Sequence, residues 1–347
     1  MTATADDRAR LLAMLTALPR DPTAAAEAFL GSNDLRRTLA YAFRHGVLPY
    51  VACHLGPLAP APLRPMLRDA EETRALSHAV SLRALQHALQ ALAALSVEVL
   101  ALKGPLLSAR LYDPPFARPS LDLDLLVRER DFANARRALH QASWRDAPGT
   151  DAATSLARPH HVQLVSEIYP SIELHFAATS SFGTRIEADS LFARARTVDL
   201  DGLAALVPGE SDEIAYLATH AAAHHVERLG WLYDLALLLR RGPEVDSILT
   251  RASELGVRRV THAMLALASC SFGVHAALPP LDAIQRAALA TVAAVEERAG
   301  STLARSVARV GFISALADSP RHSVSHAQRK AGMWWQRMRK PARLGRT

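Results

Sequence analysis

Hydrophobic positions along this chain recur at helical spacing, then alternate, then return to helical spacing. Residues 9–18, 22–30 and 34–43 read as short amphipathic helices, the last ending at His45-Gly46. Four prolines within 56–65 mark an irregular elbow. A long helix is predicted over 69–95, with Leu76, Val80, Leu82, Leu85, Leu89, Leu92 and Leu95 along its apolar side. The period then shortens. Residues 97–102 form an apolar run that ends at Lys103-Gly104, a strand and a turn. Pro105 opens a short helix to Leu111, where its missing N–H costs nothing. In residues 121–127 acids alternate with apolar side chains, so a strand is expected with Leu121, Leu123 and Leu125 turned to a core. Residues 130–144 read as helix, and 160–165 and 171–176 as two strands joined across Tyr169-Pro170. From 210 to 309 the pattern is almost all helix, with breaks at Gly242-Pro243, Gly256 and Pro279-Pro280.

This order divides the chain into an N-terminal helical region (1–95), a compact core (96–205), a C-terminal helical domain (206–320) and a tail (321–347). The fold class is α+β, a small mixed β-sheet core flanked by helices. The middle has too few strands for a doubly wound sheet covered on both faces. It carries neither GxGxxG nor GxxxxGK[ST], so dinucleotide and P-loop chemistry are unsupported.

Charge changes the picture at two places. The chain has 347 residues and a net charge of +6, yet residues 321–347 hold eight basic side chains and no acid. The remainder balances 32 basic against 34 acidic residues, so the excess belongs to the tail and not to a fold-wide nucleic-acid surface. With Met333, Trp334, Trp335 and Met338, that tail reads either as a basic amphipathic helix for a membrane, nucleic acid or a partner, or as a helix packed on the body. The second place is Lys103. Of 40 basic residues only three are lysine, and the others are Lys330 and Lys340. A compact, flexible ammonium is not interchangeable with a guanidinium fork. Cys53 and Cys270 form no CxxC pair, and acids stand where a signal peptide needs an apolar stretch. No run approaches a membrane span. A cytoplasmic protein is expected.

Asp122 and Asp124 are the sharpest chemical feature. Two apart on a strand, they share one face at a spacing of about 7 Å. Such carboxylates repel unless a cation lies between them, and Mg²⁺ (or Mn²⁺) takes carboxylate oxygens while keeping positions for phosphate and water. An acidic outer face on a solvated edge strand is the bland alternative. Lys103-Gly104 upstream, Arg118 and Ser120 just before the pair, and Glu173 set between Ile172 and Leu174 weigh against it. Three carboxylates are what a two-metal phosphoryl-transfer site requires. His220 and His224, at i and i+4, share a helix face; with no HExxH they read as cleft residues or as core partners of Asp234. His160, His161 and His175 read as structural, His175 being placed to tune Glu173.

Leu102-Lys103-Gly104, Leu111-Tyr112, and Arg118-Pro119-Ser120-Leu121-Asp122-Leu123-Asp124-Leu125-Leu126-Val127 together resemble the uncharacterised nucleotidyltransferase family of the DNA polymerase β-like superfamily. Ile172-Glu173-Leu174-His175-Phe176 is similar to its third acidic strand, and His220, His224, Trp231 and Asp234 to its helical segment. The resemblance implies that Asp122, Asp124 and Glu173 are catalytic acids binding Mg²⁺ or Mn²⁺, and that Gly104 opens the nucleotide loop. Lys103, Arg118 and Ser120 are the further expected contacts to an NTP such as ATP; His220, His224 and Asp234 are candidates for the acceptor side of the cleft. Gly104-Pro105 replaces the usual Gly-Gly or Gly-Ser, leaving Ser108 or Ser120 to supply a hydroxyl. The implied reaction moves a nucleoside monophosphate to an unknown small-molecule, peptide or protein acceptor. The alternative is a non-catalytic nucleotide-sensing or partner-binding module, antitoxin-like or accessory to a biosynthetic cluster, on the same fold.

Overall fold

The computed structural model describes residues 5–31, 34–56, 58–148, 160–297 and 302–319; the basic tail lies outside the described residues. Its centre is a seven-stranded mixed sheet in the spatial order β3 (Arg145–Asp146), β4 (His161–Val165), β5 (Ser171–His175), β2 (Asp122–Leu126), β1 (Leu100–Ala101), β9 (Leu203–Val207) and β8 (Arg196–Leu200). The acidic strand β2 is internal, parallel to β5 and antiparallel to β1. A separate two-stranded ribbon pairs β6 (Ala177–Thr179) with β7 (Ile186–Glu187).

Around the sheet run α1 (Ala5–Ala17), α2 (Pro22–Leu30), α3 (Leu35–Arg44), α4 (Leu48–Leu55), α5 (Arg64–Ala94), α6 (Pro105–Leu111), α7 (Phe132–Gln141) and α8 (Ala188–Phe192). They are followed by α9 (Glu210–Ala223), α10 (Leu229–Leu239), α11 (Val245–Glu254), α12 (Arg258–Phe272), α13 (Ala283–Glu297) and α14 (Thr302–Ala315). Asp21 and Asp34 accept from Ala24 N–H and Arg37 N–H, capping α2 and α3 as carboxylates at N-caps do. No described helix is long and apolar enough to cross a membrane.

The two faces of the sheet have different company. Leu123, Leu125, Val162, Leu164, Ile172 and Leu174 form one core beneath Ala84, Leu85, Ala88 and Leu92 of α5 and Ala135, Ala138 and Leu139 of α7. On the other face Leu100, Leu102 and Leu126 join the larger helical core, which includes Tyr216 and Leu217 of α9 and Tyr233 and Leu235 of α10. The functional side chains lie on this second face, under α9.

Several expectations change here. The ladder of β2 and β5 begins at Asp122 opposite Ser171, so Leu121 lies outside it and is 59% exposed instead of entering the core. Leu76 and Val80 are exposed because the buried positions of α5 beyond Leu67 begin only at Ser81. The helix expected over 130–144 ends at Gln141; Trp144 is fully buried, its indole N–H donating to Pro170 O at 3.0 Å. Helix α4 and the β8–β9 hairpin add to the elements read from the pattern. The hairpin turns at Asp201-Gly202, both with positive φ (53° and 82°), the turn chemistry that suits two-residue loops.

Candidate active site

Strand register assembles the acids. Asp124 sits directly opposite Glu173, and Asp122 opposite Ser171. Paired positions and positions two apart share a face, so all three carboxylates project from the same side of the sheet. The antiparallel partner β4 sets His161 opposite His175 and Gln163 opposite Glu173 on that side. Asp124 is buried, while Asp122 and Glu173 are partly exposed at the cleft.

The turn after β1 reaches the same point. Leu102 N–H donates to Asp124 O at 3.0 Å, fixing the turn to β2. Lys103 Nζ then lies 2.5 Å from Asp124 Oδ2 and donates to Asp122 Oδ1 at 3.5 Å. Gly104 has φ 93° and ψ −146°, a region essentially closed to residues with a Cβ. A Cβ there would lie 3.4 Å from Ser120 Oγ and 3.6 Å from Asp122 O, against the edge of the acidic strand. Ser120 Oγ donates to Asp122 O at 3.0 Å. Ser108 is committed elsewhere: it is buried and donates to Pro115 O and Arg118 O. Lys103, Gly104, Ser120 and the three carboxylates are thus one cluster.

The charges in this cluster are interdependent. Burial raises the pKa of Asp122, and the Asp124 charge adds to that effect while Lys103 opposes it. For Asp124, burial is outweighed by Lys103 and His175, and its pKa falls well below the usual carboxylate range. The hydrogen bond with His175 lowers the Glu173 pKa against the effect of burial. Burial works against charge on Lys103 and His175, yet the neighbouring acids raise both pKa values. His175 Nε2 stands 3.4 Å from Asp124 Oδ1 and 3.5 Å from Glu173 Oε2, beside the carboxylate it was expected to tune.

A cavity of about 370 Å³ opens over this face, lined by Asp124, Glu173, five histidines (160, 161, 175, 220 and 224), Tyr216 and Arg309 among others. His220 and His224 are neighbours with ring centroids 4.8 Å apart, and each packs on Trp231. Burial lowers the pKa of both, which favours neutral rings. Asp234 stands apart from them. Its carboxylate accepts from Arg118 Nε at 2.9 Å on both oxygens and from Tyr112 OH at 2.7 Å, all three side chains being buried. Arg118 and Asp234 therefore tie the loop before β2 to α10. The motif read in sequence as a set divides into residues at the acidic cluster and residues that hold its walls. His160 and His161 at the cavity went unrecognised as site residues; the strand alternation that places 161 with 163 on the face of 173 and 175 was the available signal.

The donor set fits a hard divalent cation. Asp124 is buried, its oxygens accept no aligned hydrogen bond, and the nearest charge is an ammonium. Asp124, Glu173 and His175 each bring a ligand atom within 4.8 Å of the others. Carboxylate oxygens of this kind suit Mg²⁺ or Mn²⁺. A compact mixed sheet with acids on adjacent parallel strands, a lysine-glycine turn and a helical wall defines a nucleotidyltransferase-like protein. The profile of the uncharacterised nucleotidyltransferase family matches residues 31–273, and the chain belongs to that family. No curated protein and no solved structure matches the chain.

Proposed function

We propose that the protein is a Mg²⁺- or Mn²⁺-dependent nucleotidyltransferase that moves a nucleoside monophosphate from an NTP to an acceptor hydroxyl. The observation that carries this reading is the rung on which Asp124 faces Glu173, with Asp122 two residues before it and Lys103 against both aspartates. Asp122, Asp124 and Glu173 would hold the cation, which when bound supplies charge neutralisation for the triphosphate and acidifies the acceptor hydroxyl. Lys103 is placed to exchange its carboxylate partners for phosphate oxygens, bringing positive charge without leaving the turn. Gly104 keeps side-chain bulk away from the edge where the triphosphate would lie, and Ser120 steadies that edge through Asp122 O.

In the transfer the acceptor oxygen bonds to the α-phosphorus while the α–β bridging P–O bond breaks, and pyrophosphate leaves with that electron pair. The hydroxyl proton goes to a carboxylate, for which Glu173, partly exposed at the cavity, is the best-placed acceptor. Arg118 acts through Asp234 and Tyr112, holding the loop that leads into β2. His220, His224 and Trp231 form the far wall, where the acceptor would enter.

The test is thermal unfolding with each of the four NTPs and Mg²⁺. A ligand at 100 times its Kd adds about 2.7 kcal/mol to stability. At least one NTP should raise the melting temperature of the wild type and none that of Asp122→Asn/Asp124→Asn. Absence of a shift with all four overturns the reading. An NTP shift without pyrophosphate release or α-label transfer to any acceptor would instead make the protein a nucleotide-sensing module.

A further inference from the structure

We infer that His160, His161 and His175 form a second, nitrogen-donor metal site for a borderline d-block dication of the Zn²⁺ type, joined to the acidic cluster through His175. Each of these three residues offers a ring nitrogen, and the three lie within 4.8 Å of one another. A tetrahedral Zn²⁺ with bonds of 2.0–2.1 Å needs its ligands about 3.4 Å apart, so small side-chain rotations suffice. The rings already converge, with centroids 4.7 Å apart for His160 and His161, 4.8 Å for His161 and His175, and 5.5 Å for His160 and His175.

Two features separate this cluster from three histidines that pack by chance. His175 is 2% exposed; its Nε2 faces Asp124 and Glu173, while its Nδ1 is buried without a hydrogen-bond partner, as is Nδ1 of His161. Buried polar atoms are ordinarily satisfied, and one unsatisfied nitrogen on each of two neighbouring rings that line the same cavity calls for a ligand that accepts its lone pair. His160, by contrast, is oriented: its Nδ1 meets Ser180 Oγ at 3.0 Å, the kind of outer contact that fixes the ring of a metal-binding histidine and frees the other nitrogen. The backbone adds rigidity. His161 and His175 are register partners across β4 and β5, and Phe176 N–H donates to His160 O at 2.9 Å.

The donor chemistry discriminates between ions. Imidazole nitrogens suit Zn²⁺, Co²⁺ and their neighbours, whereas Mg²⁺ prefers oxygen. The cavity thus offers a histidine set beside the carboxylates, the two sharing His175. The histidine site is independent of the nucleotide reading, since none of its ligands needs a triphosphate.

Co²⁺ titration of the untagged, metal-free full chain, followed by visible absorption and competed with Zn²⁺, tests this. The wild type should bind one Co²⁺ with the intense visible bands of a low-coordinate nitrogen site, displaced by Zn²⁺ and not by millimolar Mg²⁺. His160→Ala and His161→Ala should each weaken that binding at least tenfold while unfolding at the same temperature as the metal-free wild type. Asp122→Asn should keep the Co²⁺ spectrum even as it loses any NTP response. No Co²⁺ bands, displacement by Mg²⁺, or binding untouched by His160→Ala and His161→Ala but abolished by Asp122→Asn would each overturn the histidine site. If His160→Ala and His161→Ala prove unfolded, His161→Gln, which keeps a polar side chain, should fold and lose the bands; retained bands would overturn the site.

Discussion

Lys103 Nζ stands 2.5 Å from Asp124 Oδ2, with only 9% and 1% of the two side chains exposed. The single lysine of the first 329 residues is therefore the buried counter-charge of the acidic cluster. Removing one partner of a buried pair leaves the other uncompensated and costs about 3–5 kcal/mol. Lys103→Met should unfold at lower denaturant than the wild type. Mg²⁺ should restore more stability to the variant than to the wild type, because its carboxylates have lost their resident cation. Lys103→Arg should keep much of the stability but lose nucleotide affinity at least tenfold, as a planar fork replaces the compact point charge that meets both Asp122 and Asp124. Chemical denaturation with and without Mg²⁺, and NTP titration, check these outcomes.

Arg118 and Asp234 are coupled across 116 residues of sequence by two 2.9 Å contacts in the interior. Arg118→Ala and Asp234→Ala should each be strongly destabilising, and the double variant less so than their sum. A double-mutant cycle in urea should return a coupling of about 1–3 kcal/mol. Additive losses would show that the pair does not tie the loop to α10.

Gly104→Ala tests the turn. The φ of 93° with ψ −146° is strained for any residue with a Cβ, at a cost of about 1–3 kcal/mol. The added methyl would stand in van der Waals contact with Ser120 Oγ, so the cost comes from the backbone conformation and not from a clash. NTP-dependent stabilisation should fall further than global stability does. A stable Gly104→Ala protein with an unchanged NTP response would remove the turn from the site.

His45 provides a pH handle far from the acids in sequence. Its ring is buried and Nδ1 accepts from Leu229 N–H at 3.3 Å; burial, then Arg44, push its pKa down to about 4 from 6.5. A lowered histidine pKa means that the unfolded chain takes up a proton the folded protein excludes. Stability is therefore complete above pH 6.5 and falls as the pH drops toward 4, by up to about 3 kcal/mol from this residue. His45→Asn should show a correspondingly shallower loss between pH 6.5 and 4 in denaturant titrations. An identical slope would place the acid sensitivity in other histidines.

Much of the site was legible because local rules carry it. Alternation put Asp122 and Asp124 on one face whatever their neighbours were, and the glycine and proline after Lys103 marked a turn and a short helix. Asp201-Gly202 suits a hairpin turn, but the residues on either side of it were not read as the β8–β9 pair. Leu121 was misassigned because alternation does not say where a ladder starts.

The sequence by itself determined the order of elements, the shared face of the aspartates and the singular lysine, since these follow from residue identity and a two-residue period. Tertiary structure decided which distant residues meet them. Parallel pairing in register brought Glu173 to Asp124, and antiparallel pairing brought His161 to His175. The fold also turned Asp234 away from the histidines onto Arg118 and Tyr112. Strand register and the desolvation of charge are collective properties of packed elements, and spacing along one chain does not contain them.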